Sequence, residues 1–301
     1  MVIDQLIEQT IQKKNPSCVG IDPDWEKIPQ IYKTDANRAD TILRWARDII
    51  DSVADVVGII KPQMAFYEIY GGDGIAVFQK IVEYAHQRGL VVIDDSKRND
   101  IGNTAKAYAY AHLAPEGFIN ADFLTVSPFL GIDSLQPFVD IAKQKGKGIF
   151  ILVKTSNPGS VEISEAKNAK NQRIRDYLAE FVHQAGLECI GSSGYSSIGA
   201  VVGATFPEEA KELRENMTNN YFLVPGFGVQ GGTVKDIAKC FNEDGLGAVV
   251  NSSRGILYQH LEISDYDQSK GMYLDIVREQ AKRMQRQIYE ELQTECKKIV
   301  Y

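Results

Sequence analysis

Short apolar runs alternate with stretches of helical period along the chain. In order, the runs are Cys18–Asp22, Val56–Lys61, Leu90–Asp95, Phe123–Ser127, Ile149–Lys154, Ile198–Val202, Phe222–Pro225 and Ala248–Asn251. Most are continuously apolar, which is the pattern of strands buried on both faces in a parallel sheet. The sixth, Ile198–Val202, also reads as the start of a helix. Between the runs, Ile42, Trp45, Ile49 and Val53 recur at spacings of three and four and form one apolar helix face, as do Phe78, Ile81, Val82 and Ala85. Each strand–helix unit needs a right-handed crossover, and eight such units close into a (β/α)8 TIM barrel of the α/β class. Six or seven strands would give an open doubly wound sheet instead.

Two stretches stand outside this rhythm. Glu162–Asn171 is polar and lysine-rich and reads as a surface excursion after the fifth run. From Gly271 onward the pattern is one long helix, with Tyr273, Ile276, Val277, Ala281, Met284 and Ile288 on its apolar side. No linker, fixed-period repeat or low-complexity tract interrupts residues 1–301, so one domain is the economical reading. The first fifteen residues form an amphipathic helix candidate without the apolar core of a signal peptide.

Composition narrows the partners. The net charge of -7 gives no long-range attraction toward nucleic acid, so a bound nucleotide is expected to be small and gripped locally. No apolar run approaches the roughly 20 residues that cross a bilayer, so no membrane partner is expected and the location is read as cytoplasmic. Cys18, Cys189, Cys240 and Cys296 have neither metal-ligand nor redox spacing, which predicts free thiols in a reducing compartment.

In a barrel of this kind the chemistry gathers at the C-terminal ends of the strands. There the chain carries Gly-Ile-Asp22 after the first run, Lys61 after the second and Asp95-Ser-Lys97-Arg-Asn-Asp100 after the third. Charged residues abutting apolar runs are costly unless paired. Residues two apart in a strand share a side, so Asp95 and Lys97 can both face the barrel mouth, within reach of Lys61. Alternating opposite charges keep one another ionised. Such a cluster can catalyse, or can simply close the barrel end as a salt-bridge network.

Pro225-Gly-Phe-Gly-Val-Gln230-Gly231-Gly contains a literal G-x-G-x-x-G after a strand. A dinucleotide fingerprint is one reading, but the next strand ends in Asn251 rather than an acidic residue for a ribose. A phosphate site fits better, because loops after the seventh and eighth strands of many barrels bind phosphate through backbone N–H groups. Arg254 adds a bidentate fork suited to phosphate oxygens. Ordinary glycine turns beside a surface arginine are the alternative. Ser156, within Lys154-Thr-Ser-Asn-Pro-Gly-Ser160, offers a hydroxyl, and alone the segment says only turn. His86, His112, His183 and His260 end no strand and read as surface or packing residues.

At these residues the chain resembles orotidine 5'-phosphate decarboxylases, most closely the longer, type 2-like variety, from about Cys18 to Tyr258. The specific part is D-x-K-x-x-D-I-x-N-T over Asp95–Thr104, in order with Lys61 and with Pro225–Gly232. The resemblance implies decarboxylation of orotidine 5'-phosphate to UMP, the last step of de novo pyrimidine nucleotide synthesis, with no metal and no organic cofactor. It implies a charged catalytic array of Lys61, Asp95, Lys97 and Asp100, with Lys97 as proton donor. Asp22 and Lys61 then resemble the groups that hold the ribose hydroxyls, and Ser156 the one that reads the pyrimidine edge. Pro225, Gln230, Gly231 and Arg254 resemble the phosphate grip, with Gln230 on a closing loop. Asp100, Ile101 and Thr104 would enter the site of a neighbouring subunit, which implies a homodimer with shared sites. Glu162–Asn171 has no counterpart in the family pattern. Two rivals remain: a metal-dependent sugar-phosphate decarboxylase or aldolase of the same barrel group, and a non-catalytic nucleotide-binding barrel. The first places a carboxylate for Mg2+ where this chain has Lys61.

Overall fold

A computed structural model of the chain describes residues 1–34, 37–228, 232–296 and 298–301. Eight strands alternate with helices: β1 (Ser17–Ile21), β2 (Ile59–Pro62), β3 (Val91–Arg98), β4 (Phe123–Val126), β5 (Gly148–Lys154), β6 (Ser196–Val202), β7 (Asn220–Val224) and β8 (Ala248–Ser252). Each pairs in parallel with its chain neighbour, and β8 pairs with β1, so the sheet closes as a barrel. The helices are α1 (Val2–Lys13), α2 (Arg38–Val53), α3 (Ala65–Glu68), α4 (Gly71–Gln87), α5 (Gly102–Leu113), α6 (Gln136–Lys145), α7 (Ser160–Ser164), α8 (Ile174–Gly186), α9 (Pro207–Asn216), α10 (Val234–Ala238), α11 (Arg254–Leu257) and α12 (Lys270–Glu295). The sixth apolar run is therefore a strand, with every residue from Ser196 to Val202 buried.

The continuous apolar runs have a direct cause. Successive strand residues point to opposite sides, and here both sides are core. Cys18, Ile59, Phe123 and Val249 fill the barrel interior. Their neighbours Val19, Ile60, Leu124 and Val250 pack outward against the helices. Inside, the Phe123 and Phe150 rings meet at 5.0 Å. Helix α1 joins this inner core through Val2, Ile3, Leu6 and Ile7 and so plugs the N-terminal end of the barrel. Its close approach needs Gly58, where a Cβ would stand 2.4 Å from Gln9 Cβ.

On the outside, α2 starts where Asn37 Oδ1 accepts from Ala39 N, satisfying one free N–H of the first turn. The long C-terminal helix α12 begins at the Ser269 cap and buries Tyr273, Val277, Ala281, Met284 and Ile288. Tyr273 receives a hydrogen bond from Trp45 Nε1 of α2 at 2.8 Å, which ties the end of the chain to the first crossover helix. With the N-terminal end plugged, an open cavity remains at the other end. All four cysteines are unpaired. Among the described residues no helix is long and apolar enough to cross a membrane.

Candidate active site

The cavity at the C-terminal ends of the strands measures about 680 Å³, within the range of small-ligand sites. Strands β2 to β8 each supply a lining residue: Lys61, Asp95, Thr125, Leu152, Val201, Leu223 and Asn251. The walls divide by chemistry. Charged groups stand over β2 and β3, apolar groups over β5 to β7, and the loops after β5, β7 and β8 form the rim.

Three of the predicted charges meet at the floor. Lys61 Nζ donates to Asp95 Oδ2 at 2.6 Å, and Lys97 Nζ to Asp95 Oδ1 at 2.5 Å. Lys61 and Asp95 are buried, whereas the Lys97 side chain keeps 44% of its exposure. Burial opposes the Asp95 charge, but Lys61 and Lys97 outweigh it and hold the carboxyl well below the usual carboxylate range. Burial likewise opposes the Lys61 ammonium, and Asp95 and Asp22 outweigh it, so Lys61 is held above the usual lysine range.

Lys97 does not reach Asp95 by regular strand alternation. It has φ 48°, and the β3–β4 register shifts between Asp94 and Arg98. Such a bulge re-aims a side chain. Thr125, at the end of β4, secures it from the cavity side: its hydroxyl accepts from Lys97 N at 2.9 Å and donates to Asp95 Oδ1 at 3.0 Å.

The remaining predicted residues fall into three groups. Asp22, Ser156, Pro225 and Arg254 line the same cavity. Burial pushes the Asp22 carboxyl up against the pull of Lys61, and its buried Oδ1 has no hydrogen-bond partner among the described residues. Ser156 lies tight against β6, where a Cβ on Gly203 would approach Ser156 Cα to 2.8 Å. Gly226 and Gly228 take φ of 93° and 77°, left-handed values that favour glycine. Gln230 and Gly231 lie outside the described residues. Asp100, Ile101 and Thr104 do not line this cavity. Asp100 Oδ1 accepts instead from Ile101 N at 2.8 Å, and Ile101 is 57% exposed. Among the described residues no hydrogen bond or ion pair joins Asp100 to Lys97, which pairs with Asp95.

Several lining groups were not singled out from sequence. Thr125 is the polar residue inside the fourth run, Phe123–Ser127, and that break in an apolar run was its signal. Asn251 brings a buried Oδ1 without a partner among the described residues to the wall. Tyr258 Oη donates to the Asp22 carbonyl and accepts from Asp24 N, both at 2.7 Å, so it braces the turn that carries Asp22. None of the four histidines lines the cavity. Among the described residues no group of three or more His, Cys, Asp or Glu side chains could hold a metal ion.

Known proteins share this fold and much of this sequence. The family model of the orotidine 5'-phosphate decarboxylase / HUMPS family matches residues 16–262. Orotidine 5'-phosphate decarboxylase of Clostridium novyi is 40% identical over 289 residues, covering 96% of this chain and 98% of that protein. The Rhodopirellula baltica enzyme of the same name is 42% identical over 269 residues, covering 85% and 88%. Among solved structures, Leishmania donovani OMP decarboxylase superposes with a TM-score of 0.75 at 28% identity, over 97% of this chain and 98% of that one.

Proposed function

The chain belongs to the orotidine 5'-phosphate decarboxylase family, and we propose that its Lys61–Asp95–Lys97 array performs the reaction, with Asp100 supplied by a second copy. It converts orotidine 5'-phosphate to UMP, a step of pyrimidine nucleotide synthesis. The observation that carries the assignment of roles is the contrast between the two lysines on Asp95. Lys61 is sealed in the floor, while Lys97 is open to the cavity. Lys61 holds the carboxylate in place, and Lys97 is the ammonium that can reach a substrate.

In this reading the carboxylate on C6 of the pyrimidine lies against Asp95. The C6–carboxylate bond breaks, CO2 leaves and the electron pair stays on C6. Lys97 Nζ stabilises that developing charge and then gives C6 a proton, yielding UMP and a neutral amine that regains its proton from water. Only interactions stronger with the carbanion than with the bound substrate speed the step, and a fixed ammonium is such an interaction. Asp22, whose Oδ1 lacks a partner, accepts from a ribose hydroxyl. Ser156 reads the pyrimidine edge. Arg254 and the loop from Pro225, including Gln230 and Gly231, grip the phosphate, whose binding is remote from the chemistry and can drive loop closure.

The exposed side chains near the third strand end support a dimer with shared sites. Ile101 follows Asp100 and stands in solvent, as do Ile69 beyond α3 and Phe129 beyond β4, 69% and 79% exposed. A second copy covering this surface would bring Asp100, Ile101 and Thr104 to its own cavity.

The test is Lys97→Ala, purified free of host enzyme and assayed by the loss of orotidine 5'-phosphate absorbance in excess EDTA. Wild-type protein turns over under these conditions, and the variant loses nearly all turnover while binding UMP. Robust turnover by the variant removes Lys97 from its role.

A further inference from the structure

Asp95 faces the cavity, so its chain neighbour Asp94 faces the helix layer. Its side chain is fully buried and has no part in the reaction described above. A carboxylate in that position is costly unless matched. Its Oδ2 lies 2.5 Å from Nδ1 of His112, in the last turn of α5, and its Oδ1 accepts from Ser96 Oγ. On the other side of the ring, Arg98 Nε donates to His112 Nε2 at 3.2 Å. A guanidinium only donates, so Nε2 is the acceptor and the ring proton sits on Nδ1, directed at Asp94. The ring is held from both sides. Arg98 extends the chain to α3 by donating to Glu68 Oε1 at 2.8 Å.

The placement of these groups is specific. Asp94 and Arg98 are the two residues that bracket the register shift in β3, and Lys97, with its left-handed backbone, lies between them. A non-glycine residue in that conformation is strained and persists only where its surroundings over-determine it. Thr125 and Asp95 hold the bulge from the cavity side. The Asp94–His112–Arg98 chain holds both of its ends from behind. It also anchors α5, the helix whose first turn contains Thr104 and directly follows Asp100 and Ile101.

We propose that Asp94, His112 and Arg98 are positioning residues for the decarboxylation: a hydrogen-bonded strap behind β3 that aims Lys97 into its own cavity and fixes the start of α5. The strap rests on the assignment of Lys97 as proton donor. It touches no substrate. Removing it lets the bulge relax and Lys97 move, while the ribose and phosphate contacts on β1, β7 and β8 stay in place.

Asp94→Asn, His112→Leu and Arg98→Gln, with the Asp94→Asn/His112→Leu double variant, test this beside Lys97→Ala. Each is assayed well below its own melting temperature for kcat, KM and UMP affinity. Misplacing a catalytic group by about 1 Å can cost on the order of 100-fold, so kcat is expected to fall by roughly 10- to 100-fold with UMP affinity nearly unchanged. The double variant should fall no further than the worse single one, because the strap acts as a unit. Arg98, at the partly exposed end, keeps the test open if Asp94→Asn fails to fold. Folded strap variants with wild-type kcat overturn the proposal, and so does an equal loss of kcat and UMP affinity. If those variants are active while Lys97→Ala is dead, the strap alone fails. If Lys97→Ala turns over normally, the donor assignment fails and takes the strap with it.

Discussion

Asp95 accepts from two lysines on opposite oxygens, and this fixes the pH range in which the floor of the cavity is intact. Its folded pKa is depressed, so its stabilising contribution is present above the unfolded value of about 4 and is lost as pH falls through the folded value. Lys61 is shifted the other way. Its contribution is present below the unfolded value of about 10.4 and is lost as pH rises through its folded value. Between about pH 5 and pH 9 neither group titrates, and the array is expected to add no slope to stability there. Asp95→Asn changes this. It leaves the buried Lys61 with only Asp22 as an opposing charge, and breaking a buried pair costs about 3–5 kcal/mol. Urea unfolding at pH 7 should register a loss of that order, together with loss of turnover. The uncompensated Lys61 should then bind its proton less tightly folded than unfolded, so the stability of the variant relative to the wild type should rise as pH rises toward 9. Parallel pH trends in the two proteins would refute the coupling.

The same logic extends to the element between β5 and α8. Lys154, at the end of β5, is fully buried and points away from the cavity, donating to Ser164 Oγ at 2.8 Å and to Glu165 Oε1 at 3.4 Å. Glu165 also faces Arg175 Nε at 3.3 Å, on a guanidinium almost wholly buried. The lysine-rich excursion is thus anchored by its acidic and hydroxyl residues to the strand that leads into Ser156. Glu165→Ala should cost about 1–3 kcal/mol by depriving two buried cations of a partner, less than a fully sealed pair because Glu165 is 34% exposed. It should also raise KM for orotidine 5'-phosphate more than it lowers kcat, since the role proposed for Ser156 is in binding. Denaturation and steady-state kinetics on one preparation check both, and an unchanged KM would confine the segment to stability. Nothing in the order of residues 162–171 reveals this, because the partners are a strand end and a helix start whose meeting depends on the closed barrel. The eight strands were legible because each run is apolar on both faces, and so were Lys61, Asp95 and Lys97, as charges placed where apolar runs stop. The Lys97 bulge and the Asp94–His112 pair were not. A residue at φ 48° breaks the two-residue period that the sequence reading assumes, and a hydrogen bond spanning 18 residues leaves no periodic trace. For the same reason His112, read as a surface or packing residue, gave no sign of its hydrogen bonds.

At the scale of the whole molecule, the decisive feature is what one chain does not bring together. Its cavity contains Lys61, Asp95 and Lys97 but not Asp100, which turns to its own backbone beside an exposed Ile101. If a site is completed by the facing subunit of a two-fold dimer, each chain both receives and donates an Asp100. Two variants then become complementary. A Lys97→Ala chain still donates a sound Asp100, and an Asp100→Asn chain still holds a sound Lys97. In a mixed dimer one site carries both defects and the other carries neither. Equal amounts exchanged at random give half mixed dimers, each with one intact site of two, so about a quarter of wild-type activity should return from two inactive preparations. The number matters as much as the recovery. Sites complete within single chains predict no recovery at any mixing ratio once exchange is verified by mass or by a tag on one variant. A return well above a quarter would require that one of the parents was never inactive, and so would count against Asp100 or Lys97 rather than for the shared site. A return near a quarter, rising and falling with the fraction of mixed dimers, is the outcome that only a site built from two chains produces.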